Sequence, residues 1–166
     1  MAIHFSTSKE NVPWEEVAEI LQNAGLSDLD GSMQEKVFRN SYAVVIVYDD
    51  RKVIGCGRAI SDGVCQGAIY NIAFREAYRH MGLGTELIKT LLDLLKGQSV
   101  ILYTNPPGVS YYEKFGFKRA KTSMCIYEGS EEKIKMMQEH GFLLPEGYRF
   151  EDEGVAPFER IPDRDW

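Results

Sequence analysis

The residues best suited to chemistry lie in a short glycine-containing segment, R-H-M-G-L-G at residues 79–84. It follows an apolar run at residues 69–74 and precedes a segment whose apolar residues recur at helical spacing. The first turn of a helix has main-chain N–H groups without intrahelical partners and carries the positive end of the helix dipole. Glycines let a bulky phosphate approach the main chain, and Arg79 adds a permanent positive charge. The segment therefore predicts a pyrophosphate site, unless its glycines merely relieve crowding in an ordinary turn.

Two familiar nucleotide-binding loops do not fit this segment. The dinucleotide fingerprint needs a third glycine in step, and the P-loop needs Gly-Lys followed by Ser or Thr. The segment instead resembles the acetyl-CoA pyrophosphate loop of the GNAT superfamily of N-acetyltransferases, whose signature is Q/R-x-x-G-x-G/A. Arg79, Gly82 and Gly84 fill its three places, and Tyr78 fills the aromatic position that often precedes them.

A second stretch, residues 105–117, is similar to a later motif of the same family, N-x-x-A-x-x-F/L-Y-E-K-x-G-F. The residues that match it place for place are Asn105, Tyr112, Glu113, Lys114, Gly116 and Phe117. Tyr111 stands where Phe or Leu is usual, Pro106 and Pro107 follow the Asn, and Gly108 replaces the common Ala. These departures leave the start of the following helix open and do not affect the tyrosine.

The resemblance implies acetyl-CoA as co-substrate and a set of residues that bind it. Main-chain groups of Ile72, Ala73 and Phe74 would pair with the pantetheine arm, and Asn105 would touch the arm or shape the loop beside it. Arg79 would attract the pyrophosphate. Its main-chain holders would be His80, Met81, Gly82, Leu83, Gly84 and Thr85. No metal is expected.

The expected reaction is direct transfer of the acetyl group to a primary amine of a small molecule or peptide, through a tetrahedral intermediate. The N–H of Ile72 would stabilise the oxyanion. Tyr112 stands at the position of the family's usual general acid, so the resemblance implies that it protonates the leaving thiolate. A phenol and a thiol have reference pKa values near enough, about 10 and 8.5, to share a proton. The alternatives are that Tyr112 only packs its helix, or that Tyr111 takes the role.

The base that deprotonates the amine is not identified by the sequence, and deprotonation through water is the default expectation. Tyr70 and Asn71 could hold such a water on the strand that leads to the glycines. Glu76 and His80 are the other titratable groups near the loop, but each is expected to be solvated or used through its main chain.

Two other functions remain open. One is a CoA-binding module that keeps the fold without catalysis, as a sensor or interaction partner. The other is a nucleotide-binding protein that uses the glycine segment alone.

The predicted order of strands and helices around these residues indicates an α/β fold of the α+β type. Its sheet is expected to be mixed and mostly antiparallel. A strand at residues 3–6 precedes two helices, the first starting at Pro13 and ending at Gly25 and the second capped by Ser32 with Glu35. Residues 42–60 form a hairpin in which Gly55 and Gly57 allow a close neighbour or a bulge. A strand at residues 65–74 completes an antiparallel meander, which counts against a Rossmann fold.

After the long helix, Gly97 precedes a buried strand at residues 99–104, expected to lie parallel to the strand before the helix. By resemblance these two strands splay apart and the pantetheine arm lies between them. Residues 117–127 should be the closing strand. Ser130 caps a helix to residue 141 that offers Ile134, Met136 and Met137 for burial, and residues 142–166 form an irregular tail.

Composition limits the remaining possibilities. The 166 residues predict one domain, with its core at about residues 3–127. The net charge of −6 argues against a nucleic-acid partner, and no apolar run approaches a membrane span. Cys56, Cys65 and Cys125 are expected to be reduced and buried, which favours a cytoplasmic protein. A homodimer is one expectation, because dimers are common in the resembling family. The acceptor amine is not readable from the sequence.

Overall fold

The computed structural model describes residues 2–120, 123–144 and 147–148. The chain forms two compact units, which span residues 1–103 and 104–166. In the described part of the first unit, five strands form one sheet in chain order. Their bounds are β1 Ile3–Ser6, β2 Ala43–Asp49, β3 Lys52–Ser61, β4 Gln66–Phe74 and β5 Ser99–Leu102. The helices of this unit are α1 Trp14–Asn23, α2 Gly31–Arg39 and α3 Leu83–Leu94.

The sheet has the predicted topology. Strands β1 to β4 pair antiparallel with their neighbours in the chain, and β5 pairs parallel to β4 through the helical crossover of α3. The meander, the hairpin and the parallel last pair are therefore confirmed. The apolar, β-branched run in β2 is buried from Ala43 to Val47, as expected for a strand covered on both faces.

Strand alternation separates the two covered faces. Cys56 and Ala73 belong to the cluster that contains Val17 and Leu21 of α1 and Phe38 of α2. The intervening Gly57 points the other way: a Cβ built on it would lie 2.6 Å from Leu87 Cδ2 of α3. That close approach explains the glycine and confirms the prediction made for it. Gly55 likewise leaves room for the ring of Phe74.

Some local predictions are wrong. Asp30, rather than Ser32, caps α2, since its carboxylate accepts the Met33 N–H at 2.9 Å. Asp and Ser are both good caps, so the pattern alone did not distinguish positions two residues apart. The fifth strand is not buried: it lies at the sheet edge, and Ile101 is 58% exposed. Cys56 is buried, but Cys65 and Cys125 are exposed, and all three are free thiols.

The second unit contains a 3₁₀ turn at Pro106–Gly108, the short helix α4 at Val109–Glu113, and α5 at Glu131–Glu139. Ser130 caps α5 as predicted, accepting the Lys133 N–H at 3.3 Å. Met137 is buried and Ile134 is half-buried, but Met136 is 43% exposed, contrary to expectation. Helix α5 therefore buries fewer apolar side chains than its sequence indicated.

The predicted closing strand is wrong for residues 117–120 and 123–127, which form no strand. Met124 and Ile126 are 94% and 96% exposed. An alternating sequence favours extended backbone, but membership of a sheet also requires a hydrogen-bonded neighbour. The predicted irregular tail lies outside the described residues from 149 onward. Along the described chain, no helix has the length and apolar character needed to cross a membrane.

Candidate active site

The pairing between strands β4 and β5 ends halfway along β4. Their parallel pairing runs from Gln66 opposite Ser99 to Ile69 opposite Leu102. Strand β4 then continues to Phe74, and on the β5 side its residues 70–74 pair with no strand in the described part of the chain. This leaves an open strand edge at the C-terminal end of two parallel strands, where α/β sheets place ligands. Because β5 itself ends at Leu102, the predicted divergence of the two strands stays a prediction.

The main-chain groups of this edge differ in direction. The Arg75 N–H donates to the Ile54 carbonyl of β3 at 2.8 Å. Because main-chain groups alternate in direction along an antiparallel strand, those of Ala73 also face β3, whereas those of Ile72 and Phe74 face the opening. The Phe74 carbonyl already accepts a long hydrogen bond, 3.4 Å, from Arg79 Nε. Ile72 thus has the freest main-chain groups of the three predicted residues.

A β-bulge sets that direction. Between the pairs Arg58–Tyr70 and Cys56–Ala73, β3 contributes only Gly57 and β4 contributes both Asn71 and Ile72. Asn71 has φ +56°, a left-handed conformation that asparagine tolerates better than most residues. The extra residue turns Ile72 to its observed side. Arg58 of β3 donates a hydrogen bond to Asn71. Arg58 was not singled out from the sequence, although an arginine in a mostly apolar strand was an available signal.

The base of the glycine segment is held to the sheet by side chains. Arg75 donates from Nε to the Val53 carbonyl at 2.8 Å and pairs with Glu19 at 2.7 Å and Glu16 at 3.5 Å. The hydroxyl of Tyr78 donates to Asp49 at 2.8 Å. This hydrogen bond is the first cause of the lowered pKa of Asp49 and of the raised pKa of Tyr78. Both contacts keep the chain close to β2 and β3 as it enters the loop.

The segment at residues 79–84, hereafter the glycine loop, exposes a row of main-chain donors. His80 has φ +63° and Gly82 has φ +82°, so the loop alternates handedness before α3 begins at Leu83. With respect to the described residues, the N–H groups of residues 80–84 make no hydrogen bond. The Thr85 N–H is used differently, since it donates to the Gly82 carbonyl at 3.0 Å.

Such a row of N–H groups at a helix N-terminus forms a concave anion-binding nest. Arg79 is exposed beside it. Of the six predicted main-chain holders, five are available in this form and Thr85 supports the helix instead. The pyrophosphate itself stays a prediction, but the local geometry meets its requirements.

In the second unit, Asn105 shapes the loop that carries its own motif. Its Oδ1 accepts the Gly108 N–H at 2.9 Å and so caps the 3₁₀ turn in which Pro106 and Pro107 occupy the first positions. Proline suits those positions because its missing N–H would have no partner there. A Cβ on Gly108 would lie 2.7 Å from Asn105 Oδ1, which explains why this chain has glycine where the family commonly has alanine. Contact between Asn105 and a ligand stays a prediction.

Tyr112 is half-buried in α4 between two aromatic rings. It meets Tyr111 edge-on at 5.4 Å and Phe117 at 6.1 Å between ring centroids. Its hydroxyl forms no hydrogen bond with any residue that the structure describes. Burial, and to a lesser extent Tyr111, raises the pKa of Tyr112. The phenol therefore stays protonated throughout the neutral range, the state that a proton donor needs.

The side chains considered as bases have other positions or partners. Asn71 Oδ1 accepts from Arg58 Nε at 2.6 Å, and the Tyr70 ring lies 5.2 Å from the Arg58 guanidinium carbon. Glu76 and His80 are exposed. These positions and partners single out no described side chain as the base that deprotonates the amine. Deprotonation through water stays the prediction.

Comparison with solved structures identifies the fold. A probable acetyltransferase from methicillin-resistant Staphylococcus aureus superposes with a TM-score of 0.68 and 24% identity, covering 78% of this chain and 100% of its own. The five-strand mixed sheet with flanking helices is thus the fold of GNAT acetyltransferases.

Sequence comparison then identifies the family. The model of the acetyltransferase (GNAT) family matches residues 10–117. A Prochlorococcus marinus protein described as an uncharacterized N-acetyltransferase ycf52-like is 30% identical over 120 residues, 68% of this chain and 67% of the relative. A Sulfurisphaera tokodaii N-alpha-acetyltransferase is 31% identical over 80 residues, 44% of this chain and 48% of the relative. The chain belongs to the GNAT family of N-acetyltransferases.

Proposed function

We propose that this protein is an acetyl-CoA-dependent N-acetyltransferase that acts on a primary amine of a small molecule or peptide. The observation that supports it most is the row of main-chain N–H groups at residues 80–84, which have no described partner and stand at the N-terminus of α3. It is continuous with the open edge of β4. A diphosphate-bearing thioester needs such an anion nest next to an unpaired strand edge.

Residues of this chain supply the binding and proton steps. The bound donor supplies an activated acetyl group as a thioester. The N–H of Ile72 faces the opening and can donate to the carbonyl oxygen as negative charge develops on it. As the N–C bond forms and the C–S bond breaks, the amine proton passes to water and the phenol of Tyr112 donates its proton to the departing sulfur.

The burial of Tyr112 has a consequence for this role. Because its pKa is raised above that of a free phenol, Tyr112 is in the protonated state that this proposed role requires at neutral pH. We also propose a cytoplasmic location, which the three free cysteines support.

Titration calorimetry with acetyl-CoA tests the binding half of the proposal. Saturable heat with a stoichiometry of one per chain is expected, and matched titrations with ATP and NAD should give none. Heat with a nucleotide but none with acetyl-CoA would instead favour a nucleotide-binding protein.

Turnover tests the catalytic half. Release of free CoA thiol, followed over a panel of primary amines, should exceed the slow hydrolysis seen without an amine. Saturable acetyl-CoA binding with no amine-dependent thiol release across the panel would support the non-catalytic CoA-binding module.

A further inference from the structure

A half-buried arginine, Arg58, lies on β3 directly beside the bulge of β4. Its Nε donates to Asn71 Oδ1 at 2.6 Å and its Nη1 donates to Ser41 Oγ at 3.3 Å. The ring of Tyr70 lies 5.2 Å from the guanidinium carbon. Ser41 Oγ in turn donates to the Val37 carbonyl at 2.9 Å. The guanidinium is therefore held in one orientation by several elements of the first unit.

The charge of Arg58 is not neutralised by these contacts. Arg39 and Arg75 form ion pairs with glutamates, whereas Arg58 forms none with the carboxylates of the described chain. Its contacts are an amide, a hydroxyl and an aromatic ring, all uncharged. Burial lowers the pKa of Arg58, so its surroundings disfavour the charge they contain. Buried charges are costly unless a counter-ion is present.

Hydrogen-bonding capacity also remains. A guanidinium has five N–H donors, and two of them are used by Asn71 and Ser41. Nη2 has no partner among the described residues, and no buried side-chain nitrogen of these residues lacks one, so Nη2 with its two N–H groups is reachable from solvent. Lys9 adds a second positive charge here, because its Nζ donates to the Ser41 carbonyl at 2.6 Å.

The position of this cluster relates it to the reaction. Tyr70 is the first residue of β4 beyond its last pairing with β5, and Ile72 follows two residues later. Two residues of fully extended strand span about 7 Å, which is an upper limit across the bulge at Asn71. Arg58 pairs with Tyr70 across the sheet. An amine near the Ile72 N–H would therefore have its own substituents within reach of the Arg58 fork.

We propose that Arg58 binds an oxyanion of the acceptor, so that the acceptor is a small primary amine that also carries a carboxylate or phosphate group. This inference rests on the proposed acetyltransferase function and names its substrate class. The planar guanidinium fork matches either oxyanion through two parallel hydrogen bonds. The positive charge of Arg58 repels polyamines and other amines that carry no anionic group.

The test compares matched amines with and without the anionic group, at equal concentrations of the unprotonated amine. The pairs are glycine with glycinamide, 4-aminobutanoate with its amide, and O-phosphoethanolamine with ethanolamine. In the native protein, kcat/KM for an anionic member should exceed that of its neutral partner at least tenfold. Whichever pair gives the largest ratio shows whether Arg58 prefers a carboxylate or a phosphate group on the acceptor. Ratios near one in all pairs overturn the inference.

Variants assign the preference to the side chain. Arg58→Met should bring the ratio close to one, mainly through a higher KM for the anionic amine, and Arg58→Lys should restore part of it. Arg39→Met, which removes an exposed and paired charge, should leave the ratio as it is. A ratio that survives in Arg58→Met overturns the assignment. The native ratio decides the substrate class even where a variant does not fold.

Two further readouts separate this inference from the proposed function. If no amine is turned over, the anionic amines should still raise the melting temperature of the CoA-saturated protein more than their neutral partners do. Equal shifts overturn the inference. Absence of acetyl-CoA binding in calorimetry refutes the proposed function instead, whereas binding and turnover with ratios near one refute only the role of Arg58.

Discussion

The glycine loop and the segment at residues 105–117 offer two kinds of functional group. In the glycine loop the available groups are main-chain N–H donors at residues 80–84. Side chains matter there mainly because they decide which backbone angles each residue can adopt. In the second segment the important group is one side-chain hydroxyl, that of Tyr112, supported by the rings of Tyr111 and Phe117. Substitutions in the two regions should therefore change different measured quantities, donor affinity in the first and turnover in the second.

The largest expected effect is that of Tyr112→Phe. The ring packing is kept and only the hydroxyl is lost, so kcat should fall about 100-fold or more, the usual range for loss of a general acid. The acetyl-CoA Kd from calorimetry should change less than twofold. Tyr111→Phe is the matched control and should keep most of the turnover. The reverse pattern would transfer the role to Tyr111, and full turnover in both variants would remove the phenols from the mechanism.

The scaffold behind the glycine loop is expected to be less tolerant than the loop itself. Gly57→Ala places a Cβ 2.6 Å from Leu87 Cδ2, in a face that is fully buried. Overpacking of this kind typically lowers the free energy of unfolding by about 1–3 kcal/mol, measurable by urea denaturation. Leu87→Ala should make room for the new methyl group. Additive losses in the double variant would show that the clash is absent.

Gly82→Ala should weaken acetyl-CoA binding by about tenfold. A left-handed backbone costs a non-glycine residue roughly 1–2 kcal/mol, and relaxation of the strain would turn the N–H row away from its nest. Gly97→Ala is the matched control, since Gly97 follows α3 with φ +87° and equally open surroundings. Both variants should lose similar stability in denaturation, but only Gly82→Ala should lose affinity. Equal Kd values in the two variants would contradict the anion nest.

The smallest expected effect concerns the Tyr78–Asp49 hydrogen bond at the base of the loop. The pKa of Asp49 is lowered, so its contribution to stability is present above its unfolded value near 4 and is lost as the pH falls through the lower folded value. Tyr78→Phe should therefore lower the melting temperature at pH 6, with the difference from the native protein shrinking below about pH 4. A difference independent of pH would mean that the hydrogen bond does not favour the ionised carboxylate.

Much of the first unit could be predicted from local patterns. The order of the first five strands, the hairpin, the close neighbour of Gly57 and the helix after the glycine loop follow from apolar periodicity and from glycine positions, which act over a few residues. Family membership was also predictable, because the R-x-x-G-x-G and Tyr-Glu-Lys spacings are specific. Patterns that depend on neighbours distant in the chain were less reliable.

The wrong predictions share that dependence. Residues 117–127 read as a strand, but an extended segment enters a sheet only where another strand edge accepts its hydrogen bonds. The apolar run of β5 read as buried, but its place at the edge exposes Ile101. Asp30 and Ser32 are both good cap residues, and it is Asp30 whose carboxylate accepts the Met33 N–H in the folded chain.

The amino-acid sequence by itself determined the order of elements, the glycine loop and the motif tyrosine, since these depend on residue types and short spacings. Only the tertiary structure decided that the pairing of β4 with β5 ends at Ile69, that Asn71 forms a left-handed bulge, and that Arg58 lies next to it with no carboxylate partner among the described residues. The reason is physical: strand registers, bulges and buried charges are set by the packing of segments far apart in the chain.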